Sequence, residues 1–371
     1  MDRKKIIFIK EIMTQPRYHF DRTIELAKYY DVEWIIGWKL REDDIYPESQ
    51  EGHIIHILNT GKPRKKLLGV WDQFKFAVKA SRYIRNKKSD LIIVHSNRMN
   101  FVFPVLLDSN KLVMQTFTPD VNVSKIKRLF WDYYEKSGFI GYKHFLVDLE
   151  TKIDAFGLNR KKPYIVHWGL NPISTKPKQF DSVRMIYIGT LSGRNIHQTI
   201  YGLREFINTN PESQVESYDI IGTGQEKYIQ LIENAIRETG LSEIVKYHGY
   251  VSDIEIVQYF DTANLGIAYV PITEYYTNCA VTKTSEYLLS GIPVIATATN
   301  WNKKIINDSN GVLIQDNAHS FCTGLELIAK RLPSYSFDII MKSAEKESIS
   351  YNIKNELVPA LNQIIDEIET K

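Results

Sequence analysis

Short runs of hydrophobic residues alternate with stretches of helical spacing along the whole chain. Short apolar runs bounded by polar turns are typical of buried strands, whereas apolar residues three or four positions apart are typical of helices. In the first half this pattern predicts strands at Ile6–Ile9, Glu33–Gly37, Ile54–Leu58, Leu91–Val94, Leu112–Thr116, Phe145–Val147 and Tyr164–Val166. The helices predicted between them are Phe20–Tyr30, Leu67–Asn86 and Ile126–Lys136. This alternation indicates parallel α/β units.

The second half restarts the alternation after a segment that has no periodicity. Residues Asn171–Phe180 contain two prolines, at 172 and 177, and predict an interdomain linker. We therefore expect an N-terminal domain over residues 1–175 and a C-terminal domain over residues 181–350. The first elements predicted in the second domain are a strand at Arg184–Ile188, a helix at Ile196–Asn208 and a strand at Tyr218–Ile221.

Composition places the chain among globular proteins. It has 371 residues, of which 43% are hydrophobic and 25% charged, a balance that excludes a disordered chain. The longest apolar runs are far shorter than the roughly 20 residues of a membrane-spanning helix. The start of the sequence lacks the apolar region of a signal peptide, and two cysteines are too few for a disulfide framework. We expect a cytoplasmic location.

The charge is distributed unevenly along the chain. Residues 1–180 carry 32 Lys and Arg against 20 Asp and Glu, although the whole chain has a net charge of only +3. Basic and aromatic residues occur together at Gly61–Lys66, Arg82–Lys88 and Ser124–Tyr134. This juxtaposition suits the anionic face of a membrane, and peripheral contact there is expected. The alternative is a solvated basic surface; no motif for nucleic acid accompanies the charge, so no nucleic-acid partner is expected.

The stretch Leu265–Thr297 combines a buried strand, a polar loop, a short helix closed by Gly291 and a second buried strand. Ligands of parallel sheets bind at the carboxyl ends of strands, where the loop and helix start at Asn278–Glu286 are expected to lie. The N–H groups of a helix start attract phosphate, and Lys283 adds a cation. Glu286 follows one turn later and can accept hydrogen bonds from sugar hydroxyls. An anion next to a polyol describes a nucleotide sugar.

The segment EYLLSGIPVIAT, which begins at Glu286, resembles the nucleotide-sugar motif of GT-B glycosyltransferases, most closely those of family 4. Met185–Asn195, Tyr218–Gln225 and Lys246–Pro271 resemble the family in the same order. The resemblance implies an α/β fold of two Rossmann-like parallel-sheet domains facing across a cleft, with a last helix at about 355–371 that packs back on the first domain. It also implies that Glu286 binds the ribose of the donor. The family usually places a second Glu on the transferred sugar eight residues earlier, where this chain has Asn278.

The resemblance places the turn GTLSGRN, Gly189–Asn195, over the diphosphate of the donor. Gly189 and Gly193 let the backbone approach a ligand closely, and Arg194 can hold a diphosphate with two hydrogen bonds. The family commonly adds a lysine nearby; none follows here, so Lys283 is expected to supply that charge. The alternative is an ordinary turn with an exposed arginine.

Two further turns are expected near the nucleotide. IIGTGQEK lacks the third glycine of a dinucleotide fingerprint, because Lys227 occupies that place. The resemblance places HGYV at the nucleobase, where Tyr250 could stack on the ring or serve only as a structural aromatic. The donor-binding residues that we predict are Gly189, Thr190, Gly193, Arg194, Gly222, Gly224, Tyr250, Val251, Asn278, Cys279, Ala280, Lys283, Thr284 and Glu286.

Three strand ends of the first domain carry candidate acceptor-side residues. PRYH supplies Arg17 and His19, HSNR supplies His95 and Arg98, and TFTPD supplies Asp120. Each of them could orient an acceptor hydroxyl or cap the donor sugar, although a lone histidine at a strand end is more often structural. The residues that we predict to act in catalysis are Arg194, Lys283 and Asp120.

The sequence contains no D-x-D triad and no cluster with metal-ligand spacing, so we expect neither a metal nor another cofactor. The function predicted is transfer of a sugar from a nucleotide diphosphate sugar to a glycan or lipid-linked acceptor, as in surface polysaccharide or glycolipid assembly. The family implies retention of configuration. Two alternatives stay open: an inactive GT-B protein that binds a nucleotide or a partner, favoured by Asn278, and a nucleotide-sugar epimerase.

Overall fold

A computed structural model of the chain describes residues 3–13, 16–40, 46–59, 64, 66–96, 99–116, 138–148, 150, 153–154, 156–167, 169–277 and 281–370. The chain forms two compact units. The first unit contains Met1–Gly169 and Ile349–Lys371, and the second contains Leu170–Ser348.

The first unit is built on a seven-stranded parallel sheet with the order β3-β2-β1-β4-β5-β6-β7. Its strands are β1 (Lys5–Met13), β2 (Asp31–Lys39), β3 (His53–Ile57), β4 (Leu91–His95), β5 (Leu112–Gln115), β6 (His144–Val147) and β7 (Lys162–Ile165). All seven strands predicted for this half are confirmed. The strand order reverses between β1 and β4, which is the switch point where open α/β sheets bind ligands.

The second unit is built on a six-stranded parallel sheet with the order β10-β9-β8-β11-β12-β13. Its strands are β8 (Val183–Ile188), β9 (Val215–Ile221), β10 (Val245–Gly249), β11 (Leu265–Ala268), β12 (Val294–Thr297) and β13 (Gly311–Ile314). The switch point of this sheet lies between β8 and β11. Two parallel α/β sheets of this kind confirm the predicted fold class.

The described helices cover the faces of the two sheets. They are α1 (Pro16–Leu26), α2 (Lys66–Arg85), α3 (Val102–Leu106), α4 (His197–Thr209), α5 (Glu226–Thr239), α6 (Ile256–Thr262), α7 (Glu274–Thr277), α8 (Thr282–Leu289), α9 (Asn302–Ile305), α10 (Ala318–Arg331), α11 (Phe337–Ser343), α12 (Ile349–Asn352) and α13 (Val358–Glu369). A π-helical turn at Ile353–Leu357 joins the last two. None of these helices combines the length and the apolar content needed to cross a bilayer.

The C-terminal segment belongs to the core of the first unit. Leu361, Ile364 and Ile365 of α13 are buried in the same hydrophobic cluster as Phe8 and Trp34 of the sheet. The hydroxyl of Tyr30 also donates a hydrogen bond to the side-chain oxygen of Asn362, at 2.6 Å. The last 23 residues therefore belong to the first unit, although the whole second unit separates them from the rest of it in sequence.

Two helix boundaries differ from the prediction. The helix predicted at Phe20–Tyr30 is α1, which runs from Pro16 to Leu26, because proline fits the first turn of a helix and the chain turns after Leu26 to enter β2. The last helical segment begins at Ile349 rather than near residue 355. The predicted helix Ile126–Lys136 lies outside the described residues.

Candidate functional site

Two glycine turns meet at the switch point of the second sheet. Gly189 follows β8 with φ 139°, and Gly222 follows β9 with φ 145°, values that other residues rarely adopt. The amide of Gly189 donates to the carbonyl of Ile221 at 3.0 Å. A Cβ atom on Gly222 would overlap the carbonyl oxygen of Gly189. These turns therefore require glycine, and they place bare backbone at the carboxyl edge of the sheet.

Lys283 of α8 lies against the first of these turns. Its ammonium nitrogen is buried, although the residue as a whole is only half-buried, and this nitrogen has no hydrogen-bond partner among the described residues. It stands 3.9 Å from the centroid of the Tyr187 ring, and a Cβ on Gly189 would lie 3.1 Å from it. Burial and, to a lesser degree, the charge of Arg194 lower the pKa of Lys283 to about 7, and Glu286 opposes them. Burying a cation without a hydrogen-bonded anion costs free energy, because the charge loses its contact with water. This position therefore favours an anionic ligand.

Arg194 lies in the same turn and is held by an aromatic side chain. Its guanidinium group donates to the hydroxyl of Tyr276 and stacks on that ring at 4.2 Å. Gly193 and Asn195, on either side, have φ values of 69° and 53°, so the backbone is in the left-handed region both before and after the arginine. The structure thus brings Arg194 close enough to Lys283 for each charge to act on the other.

Buried polar contacts fix the position of α8. The amide of Ile188, at the end of β8, donates to the Tyr287 hydroxyl at 2.9 Å. The Thr284 hydroxyl donates to Asn302 at 2.8 Å, and the Asn302 amide donates to the Thr297 carbonyl, also at 2.8 Å. The helix that carries Lys283 is therefore tied to β8 on one side and, through the first residue of α9, to the end of β12 on the other.

The other predicted turns lie next to these glycines. The amide of Gln225, just after Gly224, donates to the hydroxyl of Ser192 at 2.7 Å, which ties the two turns together. The amide of Gly222 donates to the carbonyl of Gly249 at 2.8 Å, so the end of β10 is adjacent. Beyond it, the side chain of Tyr250 is 65% exposed.

The structure shows the exposure of three of the remaining predicted donor residues and does not describe the other three. Thr190 is exposed, Val251 is half-buried, and Glu286 is half-buried one turn after Lys283. Asn278, Cys279 and Ala280 lie outside the described residues.

Sequence reasoning missed two aromatic residues of the site. Tyr187 lies under the Lys283 ammonium group and donates its own hydroxyl to the Thr190 carbonyl at 2.8 Å. Tyr276 holds Arg194. The sequence did contain a signal for Tyr276, because the segment EYYT, which forms α7, immediately precedes the predicted binding segment.

The acceptor-side histidines meet at the switch point of the first sheet. The rings of His19 and His95 lie 5.1 Å apart, and Trp34 packs against both. A small cavity touches all three rings and Arg22. Burial, reinforced by the charges of Lys10 and Arg22, holds the pKa of both histidines well below the usual range. Both imidazoles are therefore neutral at physiological pH and can exchange hydrogen bonds with a hydroxyl group.

The other acceptor-side candidates do not join this pair in the described structure. Arg17 is exposed and forms an ion pair with Asp21 at 3.8 Å. Arg98 and Asp120 lie outside the described residues. Within the part of the chain that is described, no three His, Cys, Asp or Glu side chains converge as a metal site.

Comparisons with known proteins agree with this arrangement. Residues 182–330 match the family model described as Glycosyl transferases group 1. No curated protein matches the chain.

Solved structures share the fold across nearly the whole chain. Sucrose-phosphate synthase from Thermosynechococcus elongatus is 14% identical, with a TM-score of 0.64 and 99% of both chains covered. Anabaena HepE in complex with UDP is 14% identical, with a TM-score of 0.65 and 99% of this chain and 100% of that chain covered. A glycosyltransferase from Rickettsia africae is 14% identical, with a TM-score of 0.64 and 100% and 99% covered. Residues 182–330 thus match a group 1 glycosyl transferase domain, and the predicted resemblance to GT-B glycosyltransferases is confirmed.

Proposed function

We propose that the protein transfers a sugar from a nucleoside diphosphate sugar to an acceptor hydroxyl, and that the donor binds at the switch point of the second sheet. The observation that carries this proposal is the buried Lys283 ammonium group beside Gly189, with no hydrogen-bond partner among the described residues. A nucleotide binding there would supply the anion that the position favours.

The charges of the site suit a diphosphate. Arg194 and Lys283 provide two cations near the Gly189 turn, and a guanidinium group can bind two phosphate oxygens at once. The start of α8 adds the partial positive charge of a helix N-terminus. Glu286, one turn further on, would accept hydrogen bonds from the ribose, and the exposed ring of Tyr250 would stack on the nucleobase. HepE has been solved with UDP and with UDP-glucose, which supports a donor of this class.

The same cations would act in catalysis. When the bond between the anomeric carbon and the diphosphate breaks, negative charge develops on the departing phosphate oxygen, and cations placed beforehand stabilise that charge. Arg194 and Lys283 are the residues that we assign to this role. The acceptor oxygen forms the new bond to the anomeric carbon, and its proton passes to the departing diphosphate. We propose that the transfer retains configuration and needs no metal ion.

The acceptor side is proposed to use the first unit. Neutral His19 and His95 are suited to orienting a hydroxyl group without repelling or attracting charge. We propose a glycan or lipid-linked acceptor, as in surface polysaccharide or glycolipid assembly, and a cytoplasmic location. Asp120 remains a proposed participant that lies outside the described residues.

An activity assay tests the proposal. The full chain, supplied with a lipid extract as acceptor, is incubated in the presence of EDTA with UDP-glucose, GDP-mannose or ADP-glucose, and release of the nucleoside diphosphate is measured. We expect release from one donor and a loss of at least about 100-fold in Arg194→Ala, the scale seen when one group that stabilises developing charge is removed.

A matched control is Arg331→Ala, which removes an arginine of the second unit that pairs with the exposed Asp308. This control should release nucleotide at the rate of the wild type. Equal rates in wild type and Arg194→Ala would contradict the assigned role, and isomerised donor without transfer would favour an epimerase.

A further inference from the structure

The long helix α2 presents an exposed stripe on the first unit. Its opposite face is buried in the core, with Phe76, Ala80 and Ile84 among the buried residues. The exposed face carries apolar residues in its first half and basic residues in its second. We call this face the α2 stripe; it consists of Leu68, Trp71, Lys75, Lys79 and Arg82.

The apolar part of the α2 stripe is centred on a tryptophan. Trp71 is 52% exposed and Leu68 is 55% exposed. The Trp71 ring stacks on Phe74 with centroids 5.5 Å apart, and the Lys75 ammonium group lies 5.4 Å from the Trp71 centroid. An exposed indole that is stacked on a second ring and flanked by a cation is typical of a surface that enters a boundary between water and an apolar phase.

The charge of α2 is strongly positive. The helix contains five Lys and Arg residues and one acidic residue, Asp72. The Arg64 side chain binds the Asp72 carboxylate, with its Nε atom 2.9 Å from the oxygen, and holds the pKa of Asp72 at about 2. The one acidic group of the helix is therefore already neutralised by a residue outside it, and the cations of the α2 stripe keep their full charge.

We infer that the α2 stripe docks the protein on an anionic lipid bilayer, with Trp71 and Leu68 entering the interface and the basic residues contacting lipid phosphates. Basic residues attract an anionic leaflet, and tryptophan is favoured at the level of the headgroups. A second copy of the chain fits less well, because it would bring two basic stripes together and because lysine is depleted in protein interfaces. This inference goes beyond the proposed transfer reaction and does not depend on it.

Vesicle co-sedimentation of the full chain tests the inference. The vesicles are phosphatidylcholine alone or an equimolar mixture with phosphatidylglycerol, and each basic residue near an anionic bilayer strengthens binding about fivefold. We expect the wild type to bind the mixed vesicles at least about tenfold more tightly than the neutral ones. The affinity for the mixed vesicles should fall at least about 25-fold in the double variant Lys75→Glu, Arg82→Glu and several-fold in Trp71→Ala. Lys79 is left unchanged because it donates to the Leu58 carbonyl at 2.5 Å.

The control variant makes the same change in charge elsewhere. Lys330 and Lys342 are exposed on α10 and α11 of the second unit, and the double variant Lys330→Glu, Lys342→Glu should bind the mixed vesicles within about twofold of the wild type.

Equal binding to both vesicles, or full binding by the α2 double variant with an unchanged melting temperature, would overturn the inference. So would a dimer of the wild type in analytical ultracentrifugation that Trp71→Ala abolishes. Nucleotide binding, measured on the same samples, reports on the proposed function separately.

Discussion

At the scale of single residues, the surroundings of the Lys283 ammonium group have opposing effects on its pKa. Burial favours its neutral form and lowers its pKa to about 7, and the charge of Arg194 acts in the same direction. The Tyr187 ring, 3.9 Å away, and Glu286 favour the charged form. Near neutral pH the group is therefore only partly protonated. Binding of a diphosphate would favour the protonated form and so raise its positive charge to a full unit.

This placement predicts the pH dependence of nucleotide binding. Below its lowered pKa Lys283 already carries its proton, whereas above that pKa binding of a diphosphate must take up a proton. Affinity should consequently fall as pH rises from about 7 to about 9, by up to about tenfold per unit. Isothermal titration of UDP, or of whichever nucleoside diphosphate binds, in two buffers of different ionisation enthalpy measures this uptake directly.

The variant Lys283→Gln provides the control for that titration. It should bind nucleotide more weakly, without proton uptake and with little dependence on pH over the same range. If the wild type takes up no proton at about pH 8, Lys283 is not the group that meets the diphosphate.

The residues of the donor site could be predicted from sequence to the extent that backbone geometry dictates them. Gly189, Gly222 and Lys283 follow from turns and a helix start at the ends of strands, and the structure brings them together. Tyr187 and Tyr276 could not be predicted in the same way. An aromatic residue in a strand or a short helix could equally well belong to the core, and only tertiary contacts show which cation it faces.

At the scale of elements, the C-terminal segment is fixed to the first unit by a polar contact as well as by packing. Glu356, in the π-helical turn, accepts hydrogen bonds from the backbone amide and ring of His167, at 2.7 and 3.0 Å. Burial pushes the pKa of Glu356 upward, but the hydrogen bonds from His167 outweigh burial and hold it below the usual value. The contact therefore stabilises the fold only while the carboxyl group is ionised.

We expect Glu356→Gln to lower the free energy of unfolding by about 1–2 kcal/mol at neutral pH, because it removes a charge-assisted hydrogen bond. A group whose folded pKa is lowered contributes stability above its unfolded pKa, and that stability is lost as pH falls. The difference from the wild type, measured by urea denaturation, should therefore shrink below about pH 4.

Glu369→Gln is the matched control, since Glu369 is 54% exposed and its ion pair with Lys4 is at the surface. Such pairs contribute little, so this variant should unfold within about 0.5 kcal/mol of the wild type. If both variants unfold alike at every pH, the contact with His167 does not anchor the segment.

Most of the strands and helices could be predicted from the sequence. Strands of parallel sheets are buried on both faces and appear as continuous apolar runs, so their positions were predicted well. Helix ends were predicted less well, because α1 begins at Pro16 before its apolar pattern starts. The irregular turn at Ile353–Leu357 follows from packing against the first sheet, which no local pattern reveals.

At the scale of the whole molecule, the two units repeat one architectural principle. Each has a parallel sheet whose strand order reverses once, and each places its candidate site at that reversal. The second unit collects cations and glycine turns there, whereas the first collects neutral imidazoles and a tryptophan. Residues 1–180 carry an excess of basic residues, and in the described part of the chain α2 places some of that positive charge beside the exposed aromatic ring of Trp71.

The central claim is that the second unit binds a nucleoside diphosphate at the Gly189 turn. The most direct measurement is thermal stabilisation by UDP, GDP, CMP, ADP and dTDP, in the presence of EDTA, for the wild type and Glu286→Ala. A ligand present at about 100 times its dissociation constant adds about 2.7 kcal/mol, which corresponds to a rise of roughly 5–10 °C for a unit of this size. The account predicts such a rise with one nucleoside diphosphate and its loss in Glu286→Ala, whereas no rise with any nucleotide, or an equal rise in both proteins, would contradict it.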